Sequence, residues 1–178
     1  AGRKPNLSIL NLEAAGINPL NGVYIINLVG VFILGLAMRR LFGSDARALA
    51  GTGLFLLCGG ILYLPWTSPE LLSASCLLAG LIFYISGAPV VGSMLAGFAG
   101  QQNPTIVFFF AFAPLLHLVL DYDKAAGLRA NLVRVLRKRY LLGLAAGMAV
   151  FAIPPLFNLW QFGVPNIIAK LFSDASLI

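Results

Sequence analysis

The fold class this sequence predicts is an all-α, polytopic membrane bundle of about five transmembrane helices with a basic amphipathic helix at the interface. Three observations predict it. Residues 71–100 carry no charged side chain, and similar apolar runs recur along the chain. Of the 178 residues, 60% are hydrophobic and 10% charged, against roughly 25% charged in soluble domains. The lysines and arginines flank the apolar runs instead of gathering on one solvated face, which is how membrane anchors to anionic headgroups are placed. The net charge of +6 therefore points to lipid and away from nucleic acid. A β-barrel is disfavoured, because its strands would alternate polar and apolar residues over short segments. Cys58 and Cys76 both lie inside apolar segments, where a free thiol packs as a small hydrophobe.

The elements follow in order. Residues 1–20, with Pro5, Asn6, Asn11, Gly16, Asn18 and Pro19, read as an extramembrane arm with a short surface helix near 8–15. They are too polar for a signal peptide. The first span covers 22–38 and is stopped by Arg39 and Arg40. Ser44 and Asp45 are placed to cap the next helix, with the carboxylate at the positive end of its dipole. The second span, 48–66, ends in the interfacial run Tyr63-Leu64-Pro65-Trp66. Ser68-Pro69-Glu70 is a helix start, and the third span that follows meets Gly87-Ala88-Pro89, where a kink or break is expected.

Gln101, Gln102 and Asn103 then form a polar turn, and Asn103-Pro104 reads as an N-cap with proline at the first helical position. A fourth apolar stretch covers 105–120. In 123–139, Leu128, Leu132, Val135 and Leu136 recur at helical spacing opposite Arg129, Arg134 and Arg137, the pattern of an interfacial helix. Arg129, Arg134, Arg137, Lys138 and Arg139 are its candidate lipid-binding residues. The last span covers 140–159, and 161–178 read as an interfacial tail with a short helix near 166–172. The transmembrane bundle as a whole is assigned to 21–160.

Charge placement raises an objection to five simple crossings. The loop with Arg39, Arg40 and Arg47 and the basic segment from Lys124 to Arg139 would be separated by three crossings and face opposite sides, against the positive-inside rule. A re-entrant hairpin over 89–120, with Gln101, Gln102 and Asn103 at its tip, removes the objection. The turn then sits inside the membrane as a candidate pore lining. Otherwise it is a surface loop.

Chemistry-bearing residues are sparse. Glu13, Asp45, Glu70, Asp121, Asp123 and Asp174 all fall in loops or at span ends, whereas proton- and ion-coupled carriers place ionisable groups at mid-membrane. No catalytic motif or metal-ligand cluster is present, so no enzymatic activity is expected. His117 lies one helical turn before Asp121, where an i, i+4 pair can hydrogen-bond. The sharper reading makes it the axial ligand of a chlorophyll or a haem. Asn27, within the first span, is expected to bond across a helix interface, and the small residues Gly92, Ala96, Gly100, Gly143 and Gly147 are expected to let helices approach closely.

The functional expectation is a non-catalytic accessory subunit of a larger membrane complex of photosynthetic or respiratory type, contacting other subunits and anionic lipid. The alternative is a small-molecule or ion transporter or channel with a re-entrant segment over 89–120. The membrane itself, bacterial inner or organellar including thylakoid, is left open by the residues.

Overall fold

The computed structural model describes residues 19–64 and 70–163, and every regular element among them is helical. The helices are α1 (Pro19–Phe42), α2 (Asp45–Phe55), α3 (Ile61–Tyr63), α4 (Glu70–Ile85), α5 (Pro89–Gly100), α6 (Phe109–Leu120), α7 (Gly127–Val135) and α8 (Lys138–Phe162). A π-turn over Leu56–Gly60 joins α2 to α3, and a 3-10 turn over Pro104–Phe108 leads into α6. The expected N-terminal arm up to Asn18, the cap at Ser68-Pro69, Trp66 and the tail beyond Gly163 lie outside the described residues.

Among the described residues three helical stretches are long and apolar enough to cross a membrane: Tyr24–Phe42, Asp45–Tyr63 and Lys138–Gln161. The other apolar helices are shorter, over Glu70–Ile85, Pro89–Gly100 and Pro104–Leu120. The uncharged run 71–100 is thus two helices and not one span. Its break falls at the expected place, because Gly87 takes φ 82° and Pro89 opens α5 at its first turn. A proline has no N–H to lose there, and the residue before it avoids helical geometry.

The chain divides into two compact units between Cys76 and Leu77. In the first, α1 runs through Arg39 and Arg40 to Phe42, four residues past the expected stop at Met38. Ser44 sits at the N-cap of α2 with extended backbone but makes no capping hydrogen bond through its side chain. Asp45 instead pairs with Arg39 at 2.7 Å. α1 and α2 pack antiparallel: a Cβ at Gly51 would lie 3.1 Å from the Phe42 ring, and one at Gly35 would lie 3.7 Å from Thr52 Oγ1. The π-turn was not legible in the sequence. Gly59 holds φ 120° there, a conformation that L side chains resist.

In the second unit, register is fixed by close glycine contacts. α4 and α5 form an antiparallel hairpin, with a Gly80 Cβ placed 2.7 Å from the Gly92 carbonyl oxygen and Gly92 against the Tyr84 backbone. α5 and α8 run parallel: Gly143 meets Pro89, Gly147 meets Ser93 and Gly100 meets the Phe151 ring. α6 then returns antiparallel to α8, since Phe110 reaches Gly147 and the His117 ring lies against Tyr140 at 4.5 Å.

Candidate functional site

The turn between α5 and the 3-10 helix is where this packing has a consequence. Gln101 Nε2 donates 2.8 Å to the carbonyl oxygen of Val150, and Val150 is the middle residue of the 25-residue helix α8. Tyr140, near the start of α8, is level with His117 at the other end of the hairpin. The ten residues between Tyr140 and Val150 rise about 15 Å, half of a hydrocarbon layer of roughly 30 Å. The polar turn, which the sequence leaves as either a surface loop or the tip of a hairpin, therefore lies level with the midpoint of a helix long enough to span.

Each amide of the turn has a defined position. Gln101 bridges to α8 at the carbonyl of Val150, whose i+4 residue is Pro154 and so has no N–H to offer it; the glutamine amide supplies the donor that the helix lacks there. Asn103 is the N-cap expected from the Asn-Pro pair: its Oδ1 accepts from the Thr105 backbone N–H at 3.2 Å and from the Thr105 hydroxyl at 2.7 Å. Gln102 is exposed, as is Asn103.

At the base of the hairpin a second polar group is enclosed by aromatic rings. His117 is 2% exposed, and its Nε2 lies 3.0 Å from Asp121 Oδ2, the i, i+4 pairing expected from the sequence. Tyr140 stacks on the imidazole at 4.5 Å and Tyr84 meets it edge-on at 6.1 Å. Arg139 lies over the Tyr140 ring at 4.9 Å and donates to its hydroxyl at 3.3 Å. Three buried polar atoms of this unit have no partner among the described residues: Tyr84 Oη, Ser93 Oγ and His117 Nδ1. Such atoms carry a desolvation cost unless water or another group meets them. Tyr84 and Ser93 were missed by sequence reading, because a hydroxyl in an apolar run shows no signal until its neighbours are known.

The porphyrin reading of His117 fails a test of fit. An axial ligand needs a ring nitrogen facing room for a flat macrocycle, whereas Nε2 is held by Asp121 and Nδ1 is buried between packed elements. Among the described residues no group of three or more His, Cys, Asp and Glu side chains is placed to hold a metal ion.

The basic segment is organised differently from the expected helix over 123–139. α7 covers only Gly127–Val135, Arg137 is the N-cap of α8, and Lys138 and Arg139 belong to the first turn of α8. Within α7 the inward face is Asn131 and Val135. Asn131 accepts from the Asp123 N–H at 2.9 Å and donates to the Asp123 and Gly127 carbonyls, each at 2.8 Å. Leu128, Leu132 and Leu136 point outward on the same side as Arg129, not opposite it.

Asn27, in the first unit, is fully buried and donates to the Tyr63 and Leu64 carbonyls, both at 3.4 Å. Those are terminal carbonyls of α3 that lack intrahelical partners. The five small residues singled out in the sequence all belong to the second unit. Gly92, Gly100, Gly143 and Gly147 leave no room for a Cβ; Gly92 and Ala96 face α4 at Tyr84 and Gly80, while Gly100, Gly143 and Gly147 lie in the contact between α5 and α8.

No protein-family model matches the chain, and no curated protein or solved structure matches it.

Proposed function

We propose that the chain is an integral membrane protein whose second unit carries a re-entrant hairpin, α5 to α6, and that it is a small-molecule or ion transporter or channel. The observation that supports this is the bond from Gln101 to Val150, which sets a non-helical turn with two exposed amides level with the middle of α8. Hydrocarbon offers no hydrogen bonds, so irregular backbone at that depth is tolerated only inside protein or beside a water-filled cavity. Broken, short helices meeting near mid-membrane are a recurrent way to build a solute site without charged side chains. With the 16-residue α4 taken as a crossing, the hairpin lowers the count of crossings between Arg47 and Lys124 from three to two. Both basic segments then fall on one side, as the positive-inside rule requires.

The test is aqueous access at Gln102. In a Cys58→Ser background, Gln102→Cys is expected to react with a membrane-impermeant methanethiosulfonate in proteoliposomes, and modification is expected to reduce solute or ion flux. Reaction with lipid-soluble reagents alone would overturn the conduit reading.

A second reading, a non-catalytic accessory subunit, is supported by a different observation: Gln101 and Asn103 use their side chains to satisfy groups of this chain, leaving Gln102 as the amide a neighbouring subunit could cover. Size-exclusion chromatography of the protein extracted from its own membrane in mild detergent separates the two. A particle of fixed composition and several times the 18.9 kDa chain mass, with Gln102 protected from every reagent, supports the subunit; a small particle with Gln102 open to water supports the conduit.

A further inference from the structure

We infer that α7 and the first turn of α8 form a docking surface for anionic phospholipid headgroups, with Arg129, Arg137 and Lys138 as the phosphate-binding groups. This rests on the membrane reading but not on the conduit. The structure sorts the basic residues of this segment by what each already touches. Arg134 donates to the Asp121 carbonyl at 3.1 Å and lies 3.9 Å from the Asp123 carboxylate, so it braces the fold. Arg139 is held over Tyr140. Arg129, Arg137 and Lys138 are exposed, and no side-chain partner within the described residues holds them.

The apolar side of α7 gives the second half of the argument. Leu128 is 58% exposed, Val133 63% and Leu136 51%, while the helix already buries Val135 inward and is pinned by the three Asn131 bonds. At 100° per residue, Leu128, Leu132, Arg129 and Val133 share one outward arc of α7, and the exposed Leu136 follows at its C-cap. A short helix with an apolar outer face that carries Arg129, followed directly by Arg137 and Lys138, is built for the headgroup boundary, where leucines enter the acyl region and cationic groups meet phosphate. The chain continues from it directly into α8, a helix of spanning length whose first turn supplies Lys138. The complementary surface is thus anionic, flat and apolar beneath, which is a bilayer rather than a soluble anion.

Two measurements on the full chain in nanodiscs containing phosphatidylglycerol test this. A spin label at Leu132→Cys, in the Cys58→Ser background, is expected to collide more with oxygen than with a water-soluble nickel chelate. The triple variant Arg129→Gln, Arg137→Gln, Lys138→Gln is expected to weaken phosphatidylglycerol retention on the order of a hundredfold, read by native mass spectrometry, with phosphatidylcholine retention unchanged. Raising salt should weaken wild-type retention as well. A label that favours nickel places the helix in water, and one shielded from both probes places it under protein. Either result overturns the inference, as does a triple variant that retains phosphatidylglycerol like the wild type.

Discussion

Substituting Gly147 by alanine isolates the close approach that holds α5 and the hairpin against α8. A Cβ there would press on the Ser93 carbonyl oxygen, 2.7 Å from the Ser93 carbonyl carbon and 2.6 Å from the Phe110 ring. The Phe110 ring can turn, but the Ser93 backbone is itself fixed between α8 and the α4 contact at Gly92, so the helices must separate. Overpacking of this kind costs about 1–3 kcal/mol, and the backbone clash places Gly147 at the upper end. Alanine regains about 1 kcal/mol of helix propensity, leaving a net loss of about 2 kcal/mol. At roughly 2–4 °C per kcal/mol for a chain of this size, the midpoint should fall by about 4–8 °C.

The assay is the monodisperse fraction on size-exclusion chromatography after heating in detergent across a temperature series. Gly53→Ala is the matched control: it lies inside α2 with nothing within 4 Å of its Cβ, and it should gain up to about 1 kcal/mol. If Gly147→Ala unfolds at the wild-type temperature or above, the register of α5 on α8, and with it the depth of the Gln101 turn, is wrong.

Two further substitutions probe the enclosed pair and the π-turn. Asp121→Ala removes the partner of His117 Nε2 and leaves both nitrogens of a buried imidazole without one, which should lower stability by about 1–3 kcal/mol; in a cycle with His117→Phe the two losses should be clearly less than additive, and strict additivity would show that the 3.0 Å pair contributes nothing. Gly59→Ala meets no atom within 4 Å but must hold φ 120°, so it should lose about 1–2 kcal/mol through conformation alone, and a thermal midpoint equal to that of Gly53→Ala would contradict the π-turn.

The legible parts of this molecule are those that a few neighbouring residues dictate. The break at Gly87-Ala88-Pro89 and the cap of Asn103 on Thr105 follow from backbone chemistry that needs no distant partner. The i, i+4 pairing of His117 with Asp121 follows from helical spacing. The π-turn at Leu56–Gly60 escaped notice because Gly59 and Gly60 in an apolar run resemble ordinary packing glycines. α7 was expected too long because arginines and leucines continue at helical spacing past Val135, while Leu136 leaves helical geometry and Arg137 starts a new helix.

Composition alone determined that the chain is apolar to the degree membranes demand, since solvent preference is a sum over residues and needs no coordinates, and the length of the unbroken apolar runs pointed to helices. Only the tertiary structure decided where the polar groups of 101–103 sit. A surface loop and a turn at the depth of Val150 have the same local sequence, and what separates them is the glycine packing of α5 along α8, a long-range fit between backbones. The same holds for the cations of the basic segment: helical periodicity sets their spacing, but Arg134 braces and Arg129 faces outward because of the direction in which Asn131 and Val135 are drawn into the fold.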